Sequence, residues 1–122
     1  MEQFIGRDAH QKFSVFVAVD EKGGAGEAVR VVHDRQAYRE FLARLPSRSE
    51  IAVEASGGYS WLVDEMERSG HSPRLCNPLE AKRRMGLTNK TDKLDARGLA
   101  ILLRNDTLPE VWIPPGELPR ST

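Results

Sequence analysis

Phe13-Ser14-Val15-Phe16-Val17-Ala18-Val19 decides how the rest of the chain is read. β-branched and aromatic residues dominate the run, and no proline, glycine or charge interrupts it, so it predicts a strand. On its N-terminal side, Ala9-His10-Gln11-Lys12 predicts a turn. Before that turn, Gln3-Phe4-Ile5-Gly6-Arg7-Asp8 predicts a first strand that ends in an aspartate. On the C-terminal side, Gly23-Gly24-Ala25-Gly26 marks a loop within Asp20 to Glu27. Ala28 to His33 then predicts a third strand. Connections this short join antiparallel neighbours, so the three strands form a meander.

Beyond the meander the pattern changes to strand and helix in alternation. Asp34 is suited to cap a helix from about Arg35 to Leu45, with Ala37, Tyr38, Phe41, Leu42 and Leu45 on one apolar face. Pro46-Ser47-Arg48-Ser49 ends it. Glu50-Ile51-Ala52-Val53-Glu54 predicts a fourth strand, ending in a glutamate. Ala55-Ser56-Gly57-Gly58 predicts a tight turn into a helix near Tyr59 to Ser69, with Trp61, Leu62, Val63 and Met66 inward and Gly70 as its stop. His71 to Cys76 predicts a short fifth strand. Asn77-Pro78 opens a short basic helix over Leu79 to Arg84, and Met85 to Lys90 is a polar connection. A last helix is predicted from about Asp92 to Arg104. The order β-β-β-α-β-α-β-α specifies an α/β domain with a mixed five-stranded sheet, in which the ends of the first and fourth strands are neighbours at one edge. Residues 1–105 form this domain. Residues 106–122 contain Pro109, Pro114, Pro115 and Pro119 and read as an extended tail, or as a linker to a C-terminal domain.

Length and composition narrow the function classes. The chain has 122 residues, enough for one core. Lys plus Arg is 18 and Asp plus Glu is 18, so the formal net charge is zero. A freestanding duplex-DNA binder is usually basic, and the balance argues mildly against one. It leaves room for a nuclease domain whose acidic centre offsets a basic flank. A single cysteine, Cys76, excludes an intramolecular disulfide; it reads as buried and inert, in a cytoplasmic protein. There is no apolar run of membrane-spanning length and no signal-peptide pattern.

Chemistry concentrates in Lys90-Thr91-Asp92-Lys93-Leu94-Asp95-Ala96-Arg97-Gly98-Leu99-Ala100. The predicted helix includes both aspartates: at ~100° per residue Asp92 and Asp95 stand ~60° apart, on the arc of Leu99, Leu102 and Leu103, and so point towards the body of the domain. Carboxylates aimed inward are costly unless something positive meets them. Asp8 and Glu54, at the ends of neighbouring strands, are suited to join the pair. Four converging carboxylates repel one another, and Mg²⁺ or Mn²⁺, which prefers hard oxygen ligands, removes that repulsion. Such ions support phosphoryl transfer by activating the attacking oxygen and stabilising the leaving one.

The ordered set Ile5-Gly6-Arg7-Asp8, Val53-Glu54-Ala55-Ser56-Gly57-Gly58-Tyr59, Asn77-Pro78, Lys90-Thr91-Asp92-Lys93-Leu94-Asp95-Ala96 and Leu108-Pro109-Glu110-Val111-Trp112-Ile113-Pro114-Pro115 resembles the N-terminal domain of the DEDD insertion-sequence transposases. These are the bridge-RNA-guided recombinases, relatives of the pilin-gene inverting recombinase. The resemblance spans about residues 4 to 115. It implies a RuvC-like, ribonuclease-H-type fold with an acidic tetrad at Asp8, Glu54, Asp92 and Asp95 that binds Mg²⁺. It also implies DNA and guide RNA as partners, dimerisation, and a serine nucleophile on a second, C-terminal domain. Two features depart from the pattern. Arg7 stands where an aliphatic residue is usual, which predicts a first strand exposed enough for the arginine to reach solvent or a partner. The sequence also stops at Thr122, before any such serine domain, so it reads as a fragment of a longer or frameshifted gene.

Ordinary readings stand beside these. Carboxylates at a helix start are favoured by the macrodipole and by capping. Gly57-Gly58 can cradle a phosphate, but a sharp turn is the commoner use. Lys82, Arg83, Arg84, Lys90, Lys93 and Arg97 form a basic segment that is either a solvated face or, beside a nuclease centre, a set of phosphate contacts. Tyr59 and Trp61 can stack on bases, though Trp61 suits the core better. His10, two residues past Asp8, is a candidate for the edge of the site; no metal-ligand spacing links it to His33 or His71. The rival to an enzyme is an inert or regulatory fragment that binds nucleic acid or a full-length partner. A phosphate-binding domain of the actin-like ATPase kind shares the strand order, but the chain lacks a glycine-rich adenosine site.

Overall fold

A computed structural model of the chain describes residues 3–55, 60–87 and 94–111. Five strands form one mixed sheet: β1 (Gln3–Ala9), β2 (Phe13–Asp20), β3 (Val29–Val32), β4 (Glu50–Glu54) and β5 (Ser72–Cys76). Their spatial order is β3-β2-β1-β4-β5. β1, β2 and β3 pair antiparallel, as the short connections require, while β4 and β5 run parallel to β1. The architecture is α/β and consistent with a RuvC-like fold. β1 and β4 are neighbours as expected, but at the centre of the sheet rather than at one edge, because β5 adds beyond β4 and β2 beyond β1.

Strand periodicity divides the core in two. Ile5 on β1, Phe16 on β2 and Ile51 and Val53 on β4 face helices α1 (Arg35–Arg44) and α2 (Ser60–Arg68), where Tyr38, Leu42, Leu62 and Met66 complete a buried cluster. The alternate residues Gly6, Val17, Val19 and Ala52 face α4 (Ala96–Arg104), whose Leu99, Leu102 and Leu103 are buried. The short α3 (Pro78–Arg84) packs on this side through Ala81.

Local chemistry sets the element ends. Asp34 caps α1, accepting from Ala37 N at 3.0 Å, and Asn77 caps α3, accepting from Leu79 N at 3.0 Å. Gly70, at φ +85°, turns the chain out of α2. Glu65 on α2 is buried and receives Arg35 Nη1 and Arg39 Nε, each at 2.7 Å, which ties α1 to α2. His71 joins α1 to the loop before β4: its Nδ1 accepts from Ser49 N at 3.1 Å and its Nε2 donates to Leu42 O at 2.7 Å.

The first described residues of the tail pack along β5. Asn77 N donates to Pro109 O at 3.0 Å and Val111 N to Leu75 O at 2.8 Å, with Cys76 and Glu110 in an antiparallel bridge. Arg74 holds Glu110 through Nε and Nη2, and Glu50 through Nη1 at 2.6 Å. Among the described residues no helix is long and apolar enough to cross a membrane.

Two further expectations are corrected. The last helix begins at Ala96, not Asp92. Asp95 precedes it with extended backbone (φ −98°, ψ 176°) and is exposed, so the helical count that aimed it inward does not apply to it. Asp92 lies outside the described residues. Arg7, expected to lie on an exposed strand, is largely enclosed. It is only 4% exposed, and its Nε and Nη1 have no hydrogen-bond partner. Its aliphatic stem fills a core position on β1, with Phe16 and Val53 as its cross-strand neighbours.

Candidate functional site

The parallel pairing of β1 and β4 assembles the site. Their register aligns Arg7 with Val53, so the next residues, Asp8 and Glu54, leave adjacent strands at the same end and on the α4 side. Both line a cleft of about 330 Å³, with His10, Leu79, Lys82 and Leu94 among its other walls. Burial raises the pKa of Glu54, and the Asp8 charge raises it further. Arg7 and Lys82 act in the opposite direction. Crowding of like charge in a half-buried cleft is the condition that a divalent cation relieves.

His10 belongs to this site. Its Nε2 lies 3.0 Å from Asp8 Oδ2, and its ring stacks on Phe13 with centroids 4.6 Å apart and planes at 22°. The Arg30 guanidinium sits 4.0 Å from the Phe13 ring centroid. The turn between β1 and β2 thus holds one oxygen of Asp8 through a ring that is itself held.

Helix α4 reaches the same strand end because Gly6 lets it. A Cβ at Gly6 would lie 1.9 Å from Ala96 O and 2.7 Å from Ala100 N, so backbone packs directly on backbone there. Leu94 closes the cleft wall, and Asp95 follows it as the N-cap of α4. One Asp95 oxygen, Oδ1, accepts from Gly98 N at 2.8 Å. Among the described residues no three His, Cys, Asp or Glu side chains are grouped closely enough to hold a metal ion. The structure therefore brings Asp8 and Glu54 together and sets Asp95 next to the cleft wall, while Asp92 lies outside the described residues.

The basic residues divide. Lys82 faces the cleft, and its charge is felt by Glu54. Arg83 pairs with Glu80 at 3.5 Å; Arg84 pairs with Glu80 at 3.6 Å and donates to Thr107 O at 2.6 Å, so it also anchors the tail. Arg97 is exposed on α4. Lys90, Lys93, Gly57, Gly58 and Tyr59 lie outside the described residues. Trp61 packs against Tyr38 at 5.7 Å, in keeping with its core reading. Cys76 is fully buried, and burial, with Glu54 and Glu110 adding to it, pushes its thiol up to about 12.

Gly6 was missed by the reading of the sequence. The available signal was a glycine inside a strand pattern, which often marks the close approach of another backbone.

No curated protein matches the chain. A family model described as a transposase, of the DEDD type named for IS110, matches residues 5–117. That match takes in both cleft strands, the close packing of Gly6 on α4 and the tail segment along β5, and the chain belongs to this family of DNA transposases.

Proposed function

We propose that the domain performs metal-assisted phosphoryl transfer on DNA, with Asp8, Glu54, Asp92 and Asp95 as the acidic residues. The observation that carries this reading is the Asp8–Glu54 cleft, where two hard-oxygen ligands converge and Glu54 is held by burial and like charge in a state that a cation would relieve. Asp8 and Glu54 would hold Mg²⁺ or Mn²⁺, with Asp95, the N-cap of α4, and Asp92 completing the set. Bound there, the ion supplies Lewis-acid stabilisation to a phosphoryl oxygen.

The chain's own residues have distinct tasks. His10 fixes the orientation of Asp8, as an outer hydrogen-bond partner does for a metal-binding side chain. Lys82 attracts the phosphate backbone to the cleft mouth. Arg83, Arg97, Lys90 and Lys93 extend that attraction, and Arg84 does so at some cost to the tail contact. Leu79, 71% exposed on the cleft wall, offers an apolar contact to a sugar or base. The family resemblance assigns the nucleophilic serine to a second domain and adds guide RNA and dimerisation; on that reading this chain contributes the acidic half of the reaction.

The test is Mn²⁺ binding by calorimetry, followed by strand cleavage of a labelled DNA. The wild-type chain is expected to bind Mn²⁺, and D8N and E54Q to lose at least ~10-fold in affinity while remaining folded. Binding that is absent from the wild type, or unchanged in both variants, overturns the proposal. Metal binding without cleavage, even with the serine domain supplied, favours the regulatory fragment instead.

A further inference from the structure

The sheet face that carries Asp8 continues past the cleft, and the strand register shows what lies on it. Asp8 on β1 pairs with Val15 on β2, and Val15 pairs with Arg30 on β3, so the three form one cross-strand row on the α4 side. The next row, toward the β1–β2 turn, sets Phe13 against Val32. Strand spacing puts the Arg30 backbone ~10 Å from that of Asp8. Helix α4 packs on Gly6, Val17 and Val19 and leaves this corner open. Arg30 and Lys12 are exposed, Val32 is 54% exposed, and the His10 side chain is 40% exposed.

Planar groups fill the corner. His10 stacks on Phe13 at 4.6 Å with planes at 22°, and the Arg30 guanidinium carbon lies 4.0 Å from the same ring centroid. Two groups this close to one centroid cannot share a face of the ring. His10 therefore approaches Phe13 from the β1 side and Arg30 from the β3 side, as the order β3-β2-β1 requires. Phe13 is the filling of the stack, while His10 and Arg30 each turn an outer plane away from it. Orienting Asp8 needs only the inner pair, because His10, 3.0 Å from Asp8, already rests on Phe13. Arg30 is surplus to that task. Among the described residues it forms no ion pair, so its charge is uncompensated as well as accessible.

We propose that the His10–Phe13–Arg30 stack is a docking platform for an unpaired segment of nucleic acid, holding bases beside the acidic cleft. An unpaired base stacks on a guanidinium or imidazole plane as it does on an aromatic ring. Lys12 and the N–H groups of Arg30 supply contacts to the phosphates that follow. A duplex does not match the platform, because the faces of its bases are covered by neighbouring pairs. Positive charge at Arg30 and Lys12, with Lys82 on the far wall of the cleft, favours a polyanion over a protein surface. That the same strand enters the Asp8–Glu54 cleft rests on the functional reading above; the platform itself does not.

The test compares the wild type with R30K, which keeps the charge and loses the plane, and R30E, which reverses the charge. Fluorescence anisotropy in EDTA follows binding of a short thymidine strand, of an abasic strand of the same length and of a duplex of that length. The wild type is expected to bind the thymidine strand at least ~5-fold more tightly than the abasic one, the lower end of what one stacked base contributes. R30K is expected to lose most of that preference and keep its affinity for the abasic strand, and R30E to weaken binding of both. The preference is a ratio within one protein, so a partly unfolded variant lowers both arms alike and leaves it readable. The proposal is overturned if the wild type does not distinguish the two strands, if it prefers the duplex, or if R30K keeps the wild-type preference. A changed sedimentation coefficient of R30E with strand binding unaltered would assign this face to a second copy of the chain and overturn it as well. EDTA separates this result from the metal site: a wild type that binds no Mn²⁺ but prefers the thymidine strand loses the functional reading and keeps the platform.

Discussion

Asp95 has two duties, and a suitable pair of substitutions separates them. Its carboxylate caps α4 through Gly98 N and is also proposed to face a cation. Serine caps a helix about as well as aspartate, whereas alanine forfeits about 1 kcal/mol. D95S is therefore expected to keep wild-type stability in urea while Mn²⁺ affinity falls, and D95A to lose both. If D95S binds Mn²⁺ as the wild type does, Asp95 is a cap and nothing more. His10 is separable in the same way. H10Q can still donate to Asp8 and is expected to retain most of the Mn²⁺ affinity, whereas H10F, which keeps the stack on Phe13 but has no donor, is expected to lose severalfold. At this scale the sequence was legible where a residue lies near the end of a strand, as Asp8 and Glu54 do. It misled at Arg7, because a charged side chain predicts exposure, and only the third dimension reveals that the neighbouring strands enclose it. Asp95 misled for a related reason: capping and the first helical turn look alike in sequence, and they aim the side chain differently.

At the scale of elements, one contact and one clasp govern stability. Gly6 is where α4 rests on β1, so G6A forces backbone apart by more than a side chain can absorb. We expect a loss of about 3 kcal/mol or more in urea denaturation, with Mn²⁺ binding lost in parallel because the start of α4 is displaced. A G6A protein of unchanged stability would contradict the packing described. The α1–α2 clasp is sensitive to acid. Hydrogen bonds from Arg39 and then Arg35 hold Glu65 below the usual carboxylate range. A depressed folded-state pKa gives stability that is full above the unfolded carboxylate value and is lost as pH falls through the folded one. Urea midpoints measured from pH 7 down to pH 3 should therefore fall more steeply for the wild type than for E65Q; equal slopes would remove Glu65 from the account. Most elements were legible in the sequence because their ends carry local chemistry, such as Asp34, Asn77-Pro78 and Gly70. The packing of α4 on β1 was not, since periodicity reports which face is apolar and says nothing of how close two backbones come.

For the molecule as a whole, the short connections specified the antiparallel meander, and the alternation of strand and helix specified a mixed sheet with the first and fourth strands as neighbours; the full order β3-β2-β1-β4-β5 was not legible in the sequence. What the tail does was less legible, because prolines exclude a helix without naming a docking place. The segment from Thr107 to Val111 lies along β5, held by Arg74 on Glu110 and by Arg84 on Thr107 O, and it adjoins the buried Cys76. A thiol pushed up to about 12 and fully enclosed reacts only when the structure opens. Alkylation of Cys76 by iodoacetamide is thus expected to be slow in the wild type and distinctly faster in E110A, while circular dichroism stays unchanged. Equal rates would show that release of this segment does not control access to the thiol.

The two borders of the sheet are consequently unlike. β5 has a neighbour in the tail, whereas among the described residues β3 has β2 on one side and nothing paired on the other, with Val29 44% and Val32 54% exposed. A sheet open on both sides can add copies without limit, in the manner of a fibril. A sheet open on one side can add only one, by laying β3 against β3 about a twofold axis, after which no free border is left to extend. Self-association through backbone pairing would therefore stop at a pair, and release of the tail from β5 is the event that would turn a terminating contact into a growing one.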